Sequence, residues 1–368
     1  MKIDRVHFYV EDARAWSRWF VKKLGFQAAS GSYVSHTCTE VVKSGSVCFV
    51  LSSPLTSNSP VAKFLQQHPN GIADVTFCVE DLAAVMQRAI AHQVKILQPI
   101  QHQQGYKWAK IAAWGSLSHT LIERQEDKGE LGELGELEDK EDKEDNYPLP
   151  ITHYQLPITL NSEFFTAIDH IVLNVAAGDL ERAVAWYQNV LEFDSQQAFT
   201  IQTDRSALHS QVLVSRSGSV QFPINQPASP NSQIQEFLDT NRGPGIQHIA
   251  LQTSNIVQAI AHFRSRGVSF LPVPATYYTQ LQERQEIPLS AAEFEEIARQ
   301  QILIDWKETN PFALLLQTFT QPIFDQPTFF FELIERRLQA VGFGEGNFRA
   351  LFEAIEREQI KRGSLQNE

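Results

Sequence analysis

The phrase KSGSVCFVLSSP, Lys43 to Pro54, returns as RSGSVQFPINQP, Arg216 to Pro227. Both carry Ser-Gly-Ser-Val, a short strand-like run and a closing proline. The echo extends outward. Asn58-Ser59 followed by Phe64-Leu65 recurs at the same spacing as Asn231-Ser232 and Phe237-Leu238, and Gly71-Ile72 answers Gly245-Ile246. Upstream, IDRVHFYVEDARAWSRWFVKKLGF from Ile3 parallels IDHIVLNVAAGDLERAVAWYQNVLEF from Ile168. A repeat of this length is a duplicated structural unit. Each half divides again. In the second, an alternating strand (HIVLNV), a one-sided helix (LERAVAWYQNVL) and further strands are followed by a second strand (IQHIALQT), a second helix and more strands. The expected fold is α+β, two tandem domains each built of paired βαβββ modules, with a C-terminal amphipathic helix after the Gly342–Gly346 turn.

A chain of 368 residues fits two domains. The formal charge of −12 argues against a nucleic-acid partner, which needs a basic face. No stretch has the ~18–20 apolar residues of a membrane span. The N-terminus alternates like a strand, and Cys38, Cys48 and Cys78 have no metal or redox spacing, so a reducing cytoplasm is expected. Glu126 to Asn146 holds 11 acidic and 3 basic residues around GEL triplets. It reads as a solvated linker. The expected layout is a degenerate domain at 1–124, the linker at 125–150 and a catalytic domain with its C-terminal helix at 151–368.

Chemistry is expected in the second half. His170 and His248 occupy equivalent places at the starts of its two modules, and the first half is read as holding His7 and Asp74 there. Glu332 lies in the apolar run FFFELIER, where an unpaired carboxylate is costly and a metal is one strong partner. Two histidines and a carboxylate suit either a non-haem Fe(II) triad or a catalytic zinc site, and spacing does not choose between them.

The segments IDHIVLNV, HSQVLVSRSGSVQFPINQPA, SQIQEFLDTNRGPGIQHIALQT, VPATYYTQL, LLLQTFTQP, PTFFFELIERR and GFGEGNFRALFEAIEREQ occur in order and resemble the 4-hydroxyphenylpyruvate dioxygenase family. That family is part of the vicinal-oxygen-chelate (glyoxalase-like) superfamily. The resemblance is dense from Phe165 to Gly363 and thin over the first half. It implies Fe(II) on His170, His248 and Glu332, and substrate contacts from Ser210, Asn225, Gln233, Gln247 and Gln317, with Gln247, Gln317 and Asn225 closest to catalysis. Phe343 and Phe348 would wall the aromatic ring. It also implies 4-hydroxyphenylpyruvate and O2 as reactants, homogentisate and CO2 as products, and a homodimer or homotetramer. Such an oxidation calls for exclusion of water; the helix from Asn347 to about Lys361 is the candidate lid, and a permanently docked helix is the alternative. Hydroxymandelate synthase, which oxidises the benzylic carbon of the same substrate, is the nearest alternative; a non-catalytic binding protein of the same fold is a more distant one. Three departures from the family pattern stand out, the first being the acidic GEL stretch in the linker. Gln226 follows Asn225 where Glu is more usual, which would remove a charge near the pocket, and His209 stands where Arg is common.

Overall fold

The computed structural model describes residues 1–124, 163–283, 288–307 and 309–365. The acidic linker expected at 125–150 lies outside these residues. Among the described residues, no helix is long and apolar enough to cross a membrane.

The first half runs β1 (Lys2–Tyr9), α1 (Ala13–Leu24), β2 (Gln27–Val34), β3 (Thr37–Ser44), β4 (Val47–Pro54), α2 (Pro60–Gln67), β5 (Gly71–Cys78), α3 (Leu82–Ala91), β6 (Ile96–Gln103), β7 (Tyr106–Ala112) and β8 (Ser118–Arg124). The second runs β9 (Ala167–Asn174), α4 (Leu180–Leu191), β10 (Phe193–Gln202), β11 (Ala207–Ser215), β12 (Gln221–Pro227), α5 (Gln233–Asn241), β13 (Gly245–Gln252) and α6 (Ile256–Ser265). It continues through α7 (Ala275–Glu283), α8 (Ala291–Arg299), β14 (Leu303–Lys307), β15 (Asn310–Phe319), β16 (Phe330–Arg336) and α9 (Phe348–Arg362). Each half forms one eight-stranded sheet, ordered β2-β3-β4-β1-β5-β8-β7-β6 and β10-β11-β12-β9-β13-β16-β15-β14. The two orders are the same pattern, so the duplicated phrase reports a duplicated topology.

The echoed residues have local jobs. Ser59 and Ser232 are N-caps: their hydroxyls accept from Ala62 N at 3.0 Å and Ile234 N at 3.3 Å. Ser-Gly-Ser-Val turns β3 into β4 and β11 into β12, with Gly45 at φ +55° and Gly218 at φ +72°. Gly45 has a second constraint. A Cβ there would lie 2.3 Å from the Phe165 carbonyl, where the first half's turn meets the chain entering the second. Ser46 then donates to the Thr166 carbonyl through both its amide and its hydroxyl.

Strand alternation gives each sheet two faces. One is apolar and helps form a core shared by the halves: Phe49 stacks on Phe331 at 5.8 Å and Phe8 meets Phe329 edge-on at 5.3 Å. Burying such a ring is worth ~1.5–3 kcal/mol. The other face is polar and turns inward, and it carries the chemistry.

The run FFFELIER contains β16, the fourth and last strand of the final module, parallel to β13 with Ala250 opposite Glu332. One sequence expectation is corrected here. The first-half match to His170 is Arg5, not His7. Tyr9 pairs with Ser52 as Asn174 pairs with Asn225, so counting back places His7 at Val172 and Arg5 at His170. Asp74 does match His248, because His7 pairs with Asp74 as Val172 pairs with His248. Thr120, opposite Thr76, matches Glu332, opposite Ala250.

Candidate metal centre

Three neighbouring strands deliver three side chains to one point. His170 comes from β9, His248 from β13 and Glu332 from β16, all on the inward face. Their ligand atoms lie within 4.8 Å of one another. Glu332 Oε2 is 3.1 Å from His170 Nε2 and 3.7 Å from His248 Nε2. Glu332 Oε1 is buried and has no hydrogen-bond partner. A carboxylate 3% exposed with a free oxygen is a costly arrangement that a cation relieves. Two imidazole nitrogens and this carboxylate fit a divalent first-row metal.

Charge at the site is organised around His170. Burial would depress it, but Glu332 at Nε2 and Asp169 at Nδ1 outweigh burial and push it up to about 9. A proton and a metal ion at Nε2 would compete for the same Glu332 carboxylate. His248 is driven well below its usual value by burial and by the neighbouring His170. It therefore stands neutral, as a ligand must. Its ring stacks on Phe330 at 4.8 Å. Asp169 accepts from His170 Nδ1 at 2.9 Å and is held far below the carboxylate range, against burial, by Arg336 and His170. A histidine ligand held at its second nitrogen by a carboxylate is a recurring way to fix ring orientation.

Above these three groups is a cavity lined by Ser210, Asn225, Gln233, Gln247, Gln317, Phe343 and Phe348. These are the seven that the family resemblance implies, and the fold brings them together. Ser210 and Asn225 face each other across β11 and β12. Gln317 has a buried, unpartnered Oε1. Phe343 lies 5.3 Å from the His170 ring. Phe199, which nothing in the sequence flagged, meets Phe348 edge-on at 5.1 Å and completes the aromatic wall. Phe319 and Phe330 also line the cavity. Its free volume is only about 80 Å³, well below the ~300–1,000 Å³ of ligand pockets. Helix α9 closes it. Phe352 packs with Leu208, Ile234 and Phe237, and Glu356 accepts from Ser206 Oγ at 2.5 Å and from Thr203 Oγ1 at 2.5 Å.

Gln226 is a further correction. It does not alter charge in the pocket, because alternation turns it away from Asn225. Its Oε1 accepts from Gly178 N at 3.0 Å and Leu180 N at 3.2 Å, capping α4. Asp179, the residue at that helix's N-cap position, makes no side-chain cap bond itself. His209 is also accounted for locally, 3.1 Å from the Thr200 hydroxyl.

Residues 2–108 and 167–287 match the family described as the Glyoxalase/Bleomycin resistance protein/Dioxygenase superfamily. The 4-hydroxyphenylpyruvate dioxygenase of Dictyostelium discoideum is 37% identical over 98% of this chain and 99% of that protein. An uncharacterized protein of Synechocystis is 33% identical over 97% of each chain. Among solved structures, a mutant 4-hydroxymandelate synthase from Streptomyces coelicolor is similar with TM-score 0.79 and 26% identity, covering 97% of this chain and 98% of that one. With near-complete coverage at this identity, and with two histidines and a glutamate converging in the second of two repeated sheets, the chain belongs to the 4-hydroxyphenylpyruvate dioxygenase family of enzymes.

Proposed function

We propose that the enzyme converts 4-hydroxyphenylpyruvate and O2 to homogentisate and CO2, with Fe(II) held by His170, His248 and Glu332. The observation that carries this reading is a buried carboxylate with an unpaired oxygen, set between two imidazole Nε2 atoms under an amide-and-aromatic cavity. Fe(II) would be held by His170, His248 and Glu332 and would supply the redox chemistry that O2 needs, with the substrate's α-keto acid as co-reductant.

The chain's own residues bind, orient and exclude. Asp169 fixes the His170 ring so that Nε2 faces the cavity. Phe199, Phe343 and Phe348 wall the substrate's ring. The amides of Asn225, Gln233, Gln247 and Gln317 and the Ser210 hydroxyl provide donors and acceptors for its polar ends. Orientation is the main protein contribution, because which carbon is oxidised depends on how the ring is held relative to His170, His248 and Glu332. The small cavity is a closed form. Substrate admission requires α9 to move outward, and its return shuts out water that would divert a reactive oxidant.

The test is chromatography of the product formed from 4-hydroxyphenylpyruvate with Fe(II) and ascorbate. Homogentisate, with one CO2 released per O2 consumed, is expected. 4-Hydroxymandelate instead would assign benzylic oxidation. Substrate binding without O2 uptake would make the protein a binder.

A further inference from the structure

Asp169 has a second partner. Arg336, the last residue of β16, donates from Nε to Asp169 Oδ2 and from one terminal nitrogen to Asp169 Oδ1, both at 2.7 Å. Its other terminal nitrogen donates to the carbonyls of Ala340 at 3.0 Å and Gly342 at 2.9 Å. One planar guanidinium thus grips a carboxylate on one edge and a backbone turn on the other, a geometry lysine cannot reproduce. The turn needs gripping. Leu338 and Gln339 both take left-handed backbone angles without being glycine, and Leu338 and Val341 are exposed. One residue further, Phe343 meets the His170 ring, and the chain then enters α9.

The first half holds the same pair in plainer form. Arg124 matches Arg336 and Asp4 matches Asp169; they too form an ion pair. There Asp4 also bonds Arg5, the residue in the His170 position. No backbone carbonyl is bonded by Arg124 among the described residues, and β8 ends at that residue. The ion pair is therefore present in both halves, and in the second it is joined to the carbonyls of Ala340 and Gly342.

We propose that Arg336 is a positioning residue that couples the orientation of His170 to closure of the 340–348 segment and α9. The chain of contacts is continuous: His170 Nδ1 to Asp169, Asp169 to Arg336, Arg336 to the Ala340 and Gly342 carbonyls, and Gly342 to Phe343 and α9. A metal ion that holds His170 in place steadies this chain and so favours the closed segment. By linkage, closure of the segment tightens metal binding by the same factor. The inference rests on the metal reading given above.

The test uses the full-length apoprotein and Co(II) as the probe, with affinity from chelator competition and closure from hydrogen exchange across 340–362. In the wild type, Co(II) is expected to slow exchange in that segment. Arg336→Gln is expected to weaken Co(II) about ten- to a hundredfold and to abolish the Co(II)-dependent protection. Arg124→Gln, which breaks the matching pair in the first half, is expected to change neither. Arg336→Lys restores charge to Asp169 but not the two-edged grip, so affinity should return to within about threefold of wild type while protection stays lost. If Arg336→Gln does not fold, this separation in Arg336→Lys decides the matter alone. Wild-type affinity and protection in Arg336→Gln, equal losses in Arg124→Gln, or full protection in Arg336→Lys would each overturn the coupling. Failure of the wild type to bind Co(II) would overturn the metal reading itself.

Discussion

The two sheets put different side chains on the same three positions, Arg5, Asp74 and Thr120 in the first and His170, His248 and Glu332 in the second. The first set closes on itself. Asp74 is buried and surrounded: Ser118 donates at 2.8 Å, Thr120 at 3.0 Å and Thr76 at 3.1 Å, and the Lys110 ammonium sits 3.3 Å away. Those partners hold its carboxyl below the usual range despite burial, Lys110 foremost. His7 bonds Ser52 at 2.8 Å, and Ser52 bonds Thr39 at 2.8 Å. The second set stays open, with Glu332 Oε1, His248 Nδ1 and Gln317 Oε1 all buried and unpartnered. A buried polar group left unpaired is normally selected away unless something else pairs it. The comparison shows how one scaffold becomes structural when a lysine supplies the cation and functional when the cation must come from outside.

The largest effect should follow from closing the open set. His170→Ala, His248→Ala or Glu332→Ala is expected to remove bound metal and turnover together, since each takes one of three protein ligands. His7→Ala should leave both intact, because His7 stands at the Val172 position and its partners are all in the first half. Metal analysis of the purified variants checks this. Full metal occupancy in the Glu332 variant would end the ligand assignment.

Next in size is the pair that opened the sequence. Asn225→Leu keeps bulk and removes a donor and an acceptor, leaving a substrate hydroxyl unpaired at a cost of ~1–3 kcal/mol, or about one to two powers of ten in kcat/KM. The metal should stay, and part of the product should shift to benzylic oxidation. Ser52→Ala, its first-half counterpart, should cost about 1 kcal/mol of stability by orphaning the His7 and Thr39 contacts, with turnover unchanged. Gly344→Ala is expected to cost roughly tenfold in kcat/KM through a strained backbone. Its φ is +73°, and a Cβ would fall 1.7 Å from Gln317 Oε1, so that amide must move. Unchanged kinetics in Gly344→Ala would show that Gln317 has no fixed position to lose.

Much of this was legible in the sequence because repetition supplies its own alignment. The serine caps, the Gly-Ile strand starts and the Ser-Gly-Ser turns recur in order, and they fix which strand matches which. The identity of single positions was harder. Arg5 and His7 are two apart on one strand, so both face inward; residue type pointed to His7, although the parallel from Ile3 and Ile168 sets Arg5 against His170, and the pairing of Tyr9 with Ser52 agrees with that alignment. Gln226 looked like a pocket residue because it adjoins Asn225, yet adjacent strand residues face opposite ways. Helices α7 and α8 interrupt the last module, and with no counterpart in the first half the repeat was silent about them. Arg336 and Asp169 are separated by 167 positions, and no local pattern announces such a contact.

The smallest effect on turnover, and the sharpest on stability, should come from the apolar faces, where the comparison is His119 against Phe331. The two match because Val75 pairs with His119 as Ile249 pairs with Phe331. Phe331 packs among rings. His119 is fully buried between the halves, 3.1 Å from the Val75 carbonyl at Nδ1 and 3.1 Å from the Tyr187 hydroxyl at Nε2. A neutral ring satisfies both contacts, with Nδ1–H donating and Nε2 accepting. Burial lowers its pKa to about 4, only partly offset by Asp74 and the Val75 carbonyl. The sign follows from proton counting. Between about pH 6.5 and 4 the unfolded chain binds a proton at this histidine and the folded chain does not, so stability falls as pH falls through that window. At pH 4.5 the loss from this one residue is about 2–3 kcal/mol. Replacing His119 with the other half's residue, and freeing the hydroxyl left behind, gives His119→Phe with Tyr187→Phe. This double variant should turn over normally at pH 7.5 and lose that much of the wild type's acid destabilisation. Urea midpoints at pH 7.5 and pH 4.5 measure the difference. An equal drop between the two pH values in wild type and double variant would mean that the junction's histidine is already charged in the folded protein, and that the two halves meet through an ion rather than a neutral ring.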